Sequence, residues 1–120
     1  HSGSVYALIK NPFQPISFFS AAGDGKVLRW NFREPDTVYL AAKVSSNIFS
    51  LCTLKQNCLL LGQMQGGIHV LDVNSKKEIK NLAFHKNGVF DIVAAENEKV
   101  FFAAGGDGVL SLWSTLNFEL

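Results

Sequence analysis

His1, Ser20 and Asp24 are the three residue types of a hydrolase triad. In such a set the hydroxyl attacks, the imidazole takes its proton, and the carboxylate holds the imidazole. A nucleophile of this kind also needs an oxyanion hole and an open pocket. No nucleophile elbow of the Gly-x-Ser-x-Gly type occurs in the chain. The remaining reactive side chains say less. Cys52 and Cys58 lack CxxC spacing and a partner His, so neither a zinc site nor a disulfide scaffold is indicated, and they read as small apolar residues. His69, between Ile68 and Val70, reads as a packed or surface residue. Lys76, Lys77 and Lys80, interrupted by Glu78, read as a solvated edge. No metal site and no cofactor is expected.

The elements that would hold these residues have to fit in 120 residues, enough for a modest core. Apolar residues make up 48% and charged residues 18%, a globular balance. The net charge of +1 gives no sign of nucleic acid or an anionic membrane as partner. No apolar run approaches the ~18 residues of a membrane span; residues 100–104 form one of the longest. No signal peptide is legible, and the first residue is His rather than Met. The chain is therefore expected to be a piece of something longer, with the compartment open and the cytoplasm favoured.

Three segments end alike: Gly-Asp-Gly-Lys-Val-Leu-Arg-Trp at 23–30, Met-Gln-Gly-Gly-Ile-His-Val-Leu at 64–71, and Gly-Asp-Gly-Val-Leu-Ser-Leu-Trp at 106–113. They also begin alike, at His1, Val44 and His85. Trp30 to Leu71 is 41 positions, and Leu71 to Trp113 is 42. The repeats run over about 1–43, 44–84 and 85–120 of a single segment. Within the first, strands are predicted at 5–10, 16–21, 26–32 and 37–42. Pro12 and Pro15 break the first strand, and Asp24-Gly25 turns the chain, with Gly supplying positive φ. Further turns are predicted at 55–57, 66–67, 96–98 and 107–108. No window shows clear helical periodicity, so the fold class is all-β.

A period of ~40–45 residues with four strands per unit is the pattern of a propeller blade. The chain resembles the WD-repeat β-propeller family over its whole length. The marks are a His 28 or 29 positions before a Trp, and an Asp-Gly six positions before that Trp. The Trp-Asp pair itself is degenerate, as Trp30-Asn31, Leu71-Asp72 and Trp113-Ser114. The resemblance implies four-stranded antiparallel blades in an incomplete ring, the last one short of its outer strand.

The resemblance also reassigns the triad. It implies a buried hydrogen-bond network of His1, Ser20, Asp24 and Trp30 that sets blade geometry. The chemistry suits that role, since Trp donates, Ser and His do both, and Asp accepts. The third repeat keeps His85, Asp107 and Trp113 but has Ala103 at the serine position. The second has Val44, Leu61, Gln65 and Leu71, mostly apolar packing in the network's place. Trp30 is expected to be buried and bonded to Ser20.

For binding, the resemblance implies top-face positions at Ser4, Tyr6 and Gly23, at Asn47, Phe49 and Met64, and at Gly88, Phe90 and Gly106. Tyr6, Phe49 and Phe90 occupy one register position, and none of the nine is charged. Val5/Leu8, Ile48/Leu51 and Val89/Ile92 are expected to fill the core beside them. The glycines would leave room for a partner's approach. The aromatics either form a binding arc or wedge between neighbouring blades.

The function read from this is a non-catalytic interaction platform for a protein or peptide, with no nucleic acid and no membrane as partner. Its other partners would be the remaining blades of the propeller or a second copy of the chain. Three blades alone expose the apolar sides of the first and last, so self-association, as a six-bladed pair, or aggregation is expected. The alternatives are a hydrolase using Ser20, His1 and Asp24, and a purely structural propeller segment.

Overall fold

The computed structural model describes residues 2–14, 16–45, 47–55 and 57–120, and of residues 34–37 the backbone alone. All its regular structure is strand. Blade 1 comprises β1 (Val5–Lys10), β2 (Ser17–Ala22), β3 (Lys26–Asn31) and β4 (Glu34–Lys43). Blade 2 comprises β5 (Ile48–Leu54), β6 (Cys58–Gln63), β7 (Gly67–Asp72) and β8 (Glu78–Ala83). Blade 3 comprises β9 (Val89–Ala94), β10 (Val100–Gly105) and β11 (Leu110–Ser114). Each blade is an antiparallel meander, four-stranded in blades 1 and 2 and three-stranded in blade 3, and the sheets do not close into a ring.

The turns follow from local chemistry. Gly25, Gly66 and Gly108 take positive φ at equivalent hairpins, where a side chain would be strained. β4 begins three residues earlier than its sequence pattern suggests. Pro35 reads as a breaker, but β4 is an outer strand, where a missing backbone donor leaves no ladder bond unmade.

Successive inner strands β1, β5 and β9 lie side by side, and the blades pack face to face behind them. Equivalent faces carry Val5, Leu8, Phe18 and Trp30 in blade 1, Ile48, Leu51, Leu59 and Leu71 in blade 2, where they meet blade 1, and Val89, Ile92, Phe101 and Trp113 in blade 3, where they meet blade 2. The other face carries Ile9, Phe19 and Val27, then Cys52, Leu60 and Ile68, then Val93, Phe102 and Leu110. Two cores result. Phe19 and Val27 pack with Ile48, Leu51, Leu59 and Leu71, and Leu60 and Ile68 pack with Val89, Ile92, Phe101 and Trp113. Each fully buried Leu or Phe contributes roughly 1.5–3 kcal/mol.

The end faces are exposed, as expected of three unclosed blades, so Val5 and Leu8 do not fill a core as their strand pattern suggests. Val5 and Leu8 are 55% and 65% exposed, whereas the counterparts of Val5, Ile48 and Val89, are fully buried and those of Leu8, Leu51 and Ile92, are buried. The pattern of residue types is the same, but among the described residues no sheet covers that face of blade 1.

Candidate functional site: the aromatic rim and the buried relay

The polar relay is complete in blade 3, and its hydroxyl is not where the repeat pattern puts it. His85 Nδ1 lies 3.1 Å from Asp107 Oδ1, and His85 Nε2 lies 2.8 Å from Ser111 Oγ. Trp113 Nε1–H donates to the same Oγ at 2.8 Å. Ala103, at the expected serine position, is the ladder partner of Ser111, so the hydroxyl has moved one strand across, from β10 to β11. In blade 1 the arrangement is reversed: Ser20 on β2 faces Leu28 on β3, and Trp30 Nε1–H donates to Ser20 at 2.8 Å. The sequence held the signal, Ser111 two residues before Trp113, but only cross-strand register gives it meaning.

In the tautomer with the proton on Nδ1, the relay is fully satisfied: Trp113 donates to Ser111, Ser111 to His85, and His85 to Asp107. Asp107 also accepts the backbone N–H of Lys86 at 3.0 Å and of Val109 at 3.1 Å. Desolvation works to raise its pKa, but these N–H groups and the His85 side chain outweigh it and leave the carboxyl below the usual value. Asp24 behaves alike: desolvation raises it, and the backbone N–H groups of Ser2 and Lys26 lower it further. His1 lies outside the described residues.

The order Asp107–His85–Ser111 is that of an acyl-transfer triad. Here, however, Ser111 is 3% exposed and its oxygen is occupied by an indole N–H. Phe84 closes the site further, edge-on to both His85 and Trp113. Ser20 is likewise buried and bonded to Trp30. Trp30 itself is half-buried, short of the enclosure expected from its repeat position. Its ring stacks on Phe18, on the face of blade 1 that also exposes Leu8.

Blade 2 replaces the relay with Leu61 and Leu71, both buried. His69 takes the cross-strand position that Ser111 has in blade 3, but it pairs outward with Glu78 on β8.

The three register aromatics form one continuous row. Tyr6 meets Phe49 edge-on with centroids 4.8 Å apart, and Phe49 stacks on Phe90 at 5.2 Å. Tyr6 and Phe90 are about half exposed, while Phe49 between them is half-buried. Exposed Met64 stands alongside, its sulfur accepting from Asn47 Nδ2 at 3.6 Å, and Ser4 is exposed beside Tyr6. Backbone bonds repeat beneath them: Gly23 N–H to Ser4, Met64 N–H to Asn47, and Gly106 N–H to Gly88.

Gly88 and Gly106 serve a different end from the one expected, whereas a Cβ at Gly23 would meet only ordinary contacts, the nearest at 3.7 Å. A Cβ at Gly88 would come 2.8 Å from the Phe49 ring, and one at Gly106 would come 2.8 Å from the Phe90 ring. The space they leave is taken by this chain's own rings rather than held open for a partner.

A cleft lies away from this rim. About 750 Å³ opens between blades 2 and 3, lined by Leu54, Cys58, Ile79, Leu116 and Phe118 among others. Burial pushes the Cys58 thiol up to about 11 and raises Cys52, so neither is a ready nucleophile. Among the described residues no group of three His, Cys, Asp or Glu side chains is placed to hold a metal ion. No helix is long and apolar enough to cross a membrane.

Meander blades packed face to face, with a Trp–Ser–His–Asp relay inside blade 3, form an unclosed arc of β-propeller blades similar to WD40 repeat structures. The chain is 27% identical over 105 residues to a WD repeat-containing protein 91 homolog of Dictyostelium discoideum. It is 27% identical over 92 residues to a WD repeat-containing protein 55 homolog of the same organism. These matches cover 87% and 76% of the chain, but only 14% and 22% of the relatives. Among solved structures it is similar to U3-55K and to the WD40 repeats of RRP9, each with a TM-score of 0.84 at 17% identity. Both alignments cover 99% of this chain and 38% of the other. No protein-family model matches the chain.

Proposed function

We propose that the chain is a non-catalytic platform that holds a protein or peptide on the rim formed by Tyr6, Phe49 and Phe90. WD40 repeat domains generally mediate protein–protein interactions. The observation that carries the proposal is the unbroken aromatic row, exposed at both ends and flanked by Met64. Exposed aromatics and Met are what a hot-spot surface uses, and rings already packed on one another lose little freedom on binding. Ser4 and Asn47 supply polar groups at its edge. With no charge at any of the nine rim positions, binding depends weakly on salt.

The relay residues have a structural role in this reading, and the uncovered faces of blades 1 and 3 take further blades. A hydrolase reading has less support, since both candidate hydroxyls are buried under indole rings. Panning a displayed random-peptide library against the chain tests the proposal. Peptides rich in apolar side chains should be selected, and they should lose binding to the Tyr6→Ala, Phe49→Ala, Phe90→Ala variant. Selected peptides that bind the triple variant undiminished would place the platform elsewhere.

A further inference from the structure

The outer face of blade 3 carries a carboxylate at an inner-strand position where blades 1 and 2 have small uncharged residues. Ala7, Ser50 and Asp91 occupy the same place on the inner strands, paired with Ala21, Gly62 and Ala104. In blade 2 that place lies in the interface with blade 3. Ser50 Oγ–H donates to the Val89 carbonyl at 2.9 Å. A Cβ on Gly62 would meet both Ser50 Oγ and Val89 Cγ1, so the Val89 side chain is aimed at this spot.

Around Asp91, blade 3 keeps the apolar character of a covered face: Val93, Phe102, Leu110 and Leu112 are apolar but 38–68% exposed. Among the described residues the only hydrogen bond of the Asp91 carboxylate is with the backbone N–H of Ile92. A sheet stacked here as blade 3 stacks on blade 2 would bring its Val89-equivalent residue and carbonyl against Asp91. In a second copy of this chain that residue is Val5. An apolar side chain and a carbonyl would then enclose a carboxylate whose only donor is the Ile92 N–H, which is strongly unfavourable.

We infer that this face docks a β-blade of different sequence, one that places a lysine or arginine opposite Asp91, and that the charge acts against docking of a second copy. The apolar surround supplies contact area, and the single carboxylate supplies discrimination.

Sedimentation of the whole chain tests this, with a copy carrying Val5→Lys as the probe for the cation. Asp91→Ser, which installs the blade 2 residue, should tighten self-association at least tenfold over the unaltered chain. Val5→Lys with Asp91 intact should also tighten it at least tenfold, and combining the two substitutions should lose the second gain. Both positions are exposed, and circular dichroism checks that the variants fold. Leu112→Lys added to Asp91→Ser should abolish the gain. The inference is overturned if Asp91→Ser associates no more tightly than the unaltered chain, if Val5→Lys gives no gain, or if Leu112→Lys leaves the gain intact.

Discussion

Blades 1 and 3 build the same Trp–Ser contact from opposite sides of one ladder rung. Blade 1 takes the hydroxyl from β2 and sets Leu28 across from it; blade 3 takes it from β11 and sets Ala103 across from it. In both, the indole N–H meets the oxygen at 2.8 Å. The indole N–H is thus served by a hydroxyl at a point in space rather than at a fixed position in the repeat. The two blades differ in cover. Trp113 is buried among Phe84, Phe101 and the apolar face of blade 2, whereas Trp30 is half-buried on an open face.

That difference sets the order of effects. Trp113→Ala should cost on the order of 3–5 kcal/mol, for the cavity and the orphaned relay, and chemical denaturation would measure it. Trp30→Ala should cost clearly less in the same assay, because part of its surface already meets water. Equal losses would erase the distinction between the blades.

Ser111→Ala should come next, at about 1–3 kcal/mol, since it leaves His85 Nε2 and the Trp113 N–H unpaired in a buried site. Adding Ala103→Ser to that variant rebuilds the blade 1 arrangement and should recover part of the loss. If the double variant is no better than Ser111→Ala alone, hydroxyls on the two strands are not interchangeable.

The smallest effect concerns pH. Asp24 and Asp107 both have pKa values lowered from 3.8 in the folded chain. A depressed carboxyl contributes stability that is present above its unfolded pKa and is lost as pH falls through the folded value. Urea midpoints should therefore hold steady from pH 7 to pH 5 and drop below about pH 4. Cys58 works in the opposite sense: its raised pKa contributes stability below 9.0 that is lost as pH rises toward about 11. At pH 9 its thiol should react with a disulfide reagent far more slowly in the folded chain than in urea.

Much of this was legible in the sequence. The recurrence of Asp-Gly before Trp and the spacing from His gave the three blades, the turns and the short last sheet. The strand pattern also put Tyr6, Phe49 and Phe90 in one register, which the structure shows as a contiguous row. Ser111 was missed because a repeat alignment compares like positions along the chain, whereas the hydroxyl's substitution runs across the ladder to a different strand. Gly88 and Gly106 were misjudged because a missing side chain says that something comes close, but not whether it is a partner or the chain's own ring. The strand pattern puts Val5 and Leu8 in a core, while the count of three blades points to an exposed first face; the second reading holds, since burial belongs to the neighbour as much as to the residue.

The rim itself can be tested most directly by NMR, following aromatic and methyl signals while a library-selected peptide is titrated into the chain. The account predicts that the ring signals of Tyr6, Phe49 and Phe90 and the Met64 methyl shift together, with saturation at one affinity. Shifts confined to Ile79, Leu116 and Phe118 in the cleft between blades 2 and 3, with the rim unmoved, would contradict it.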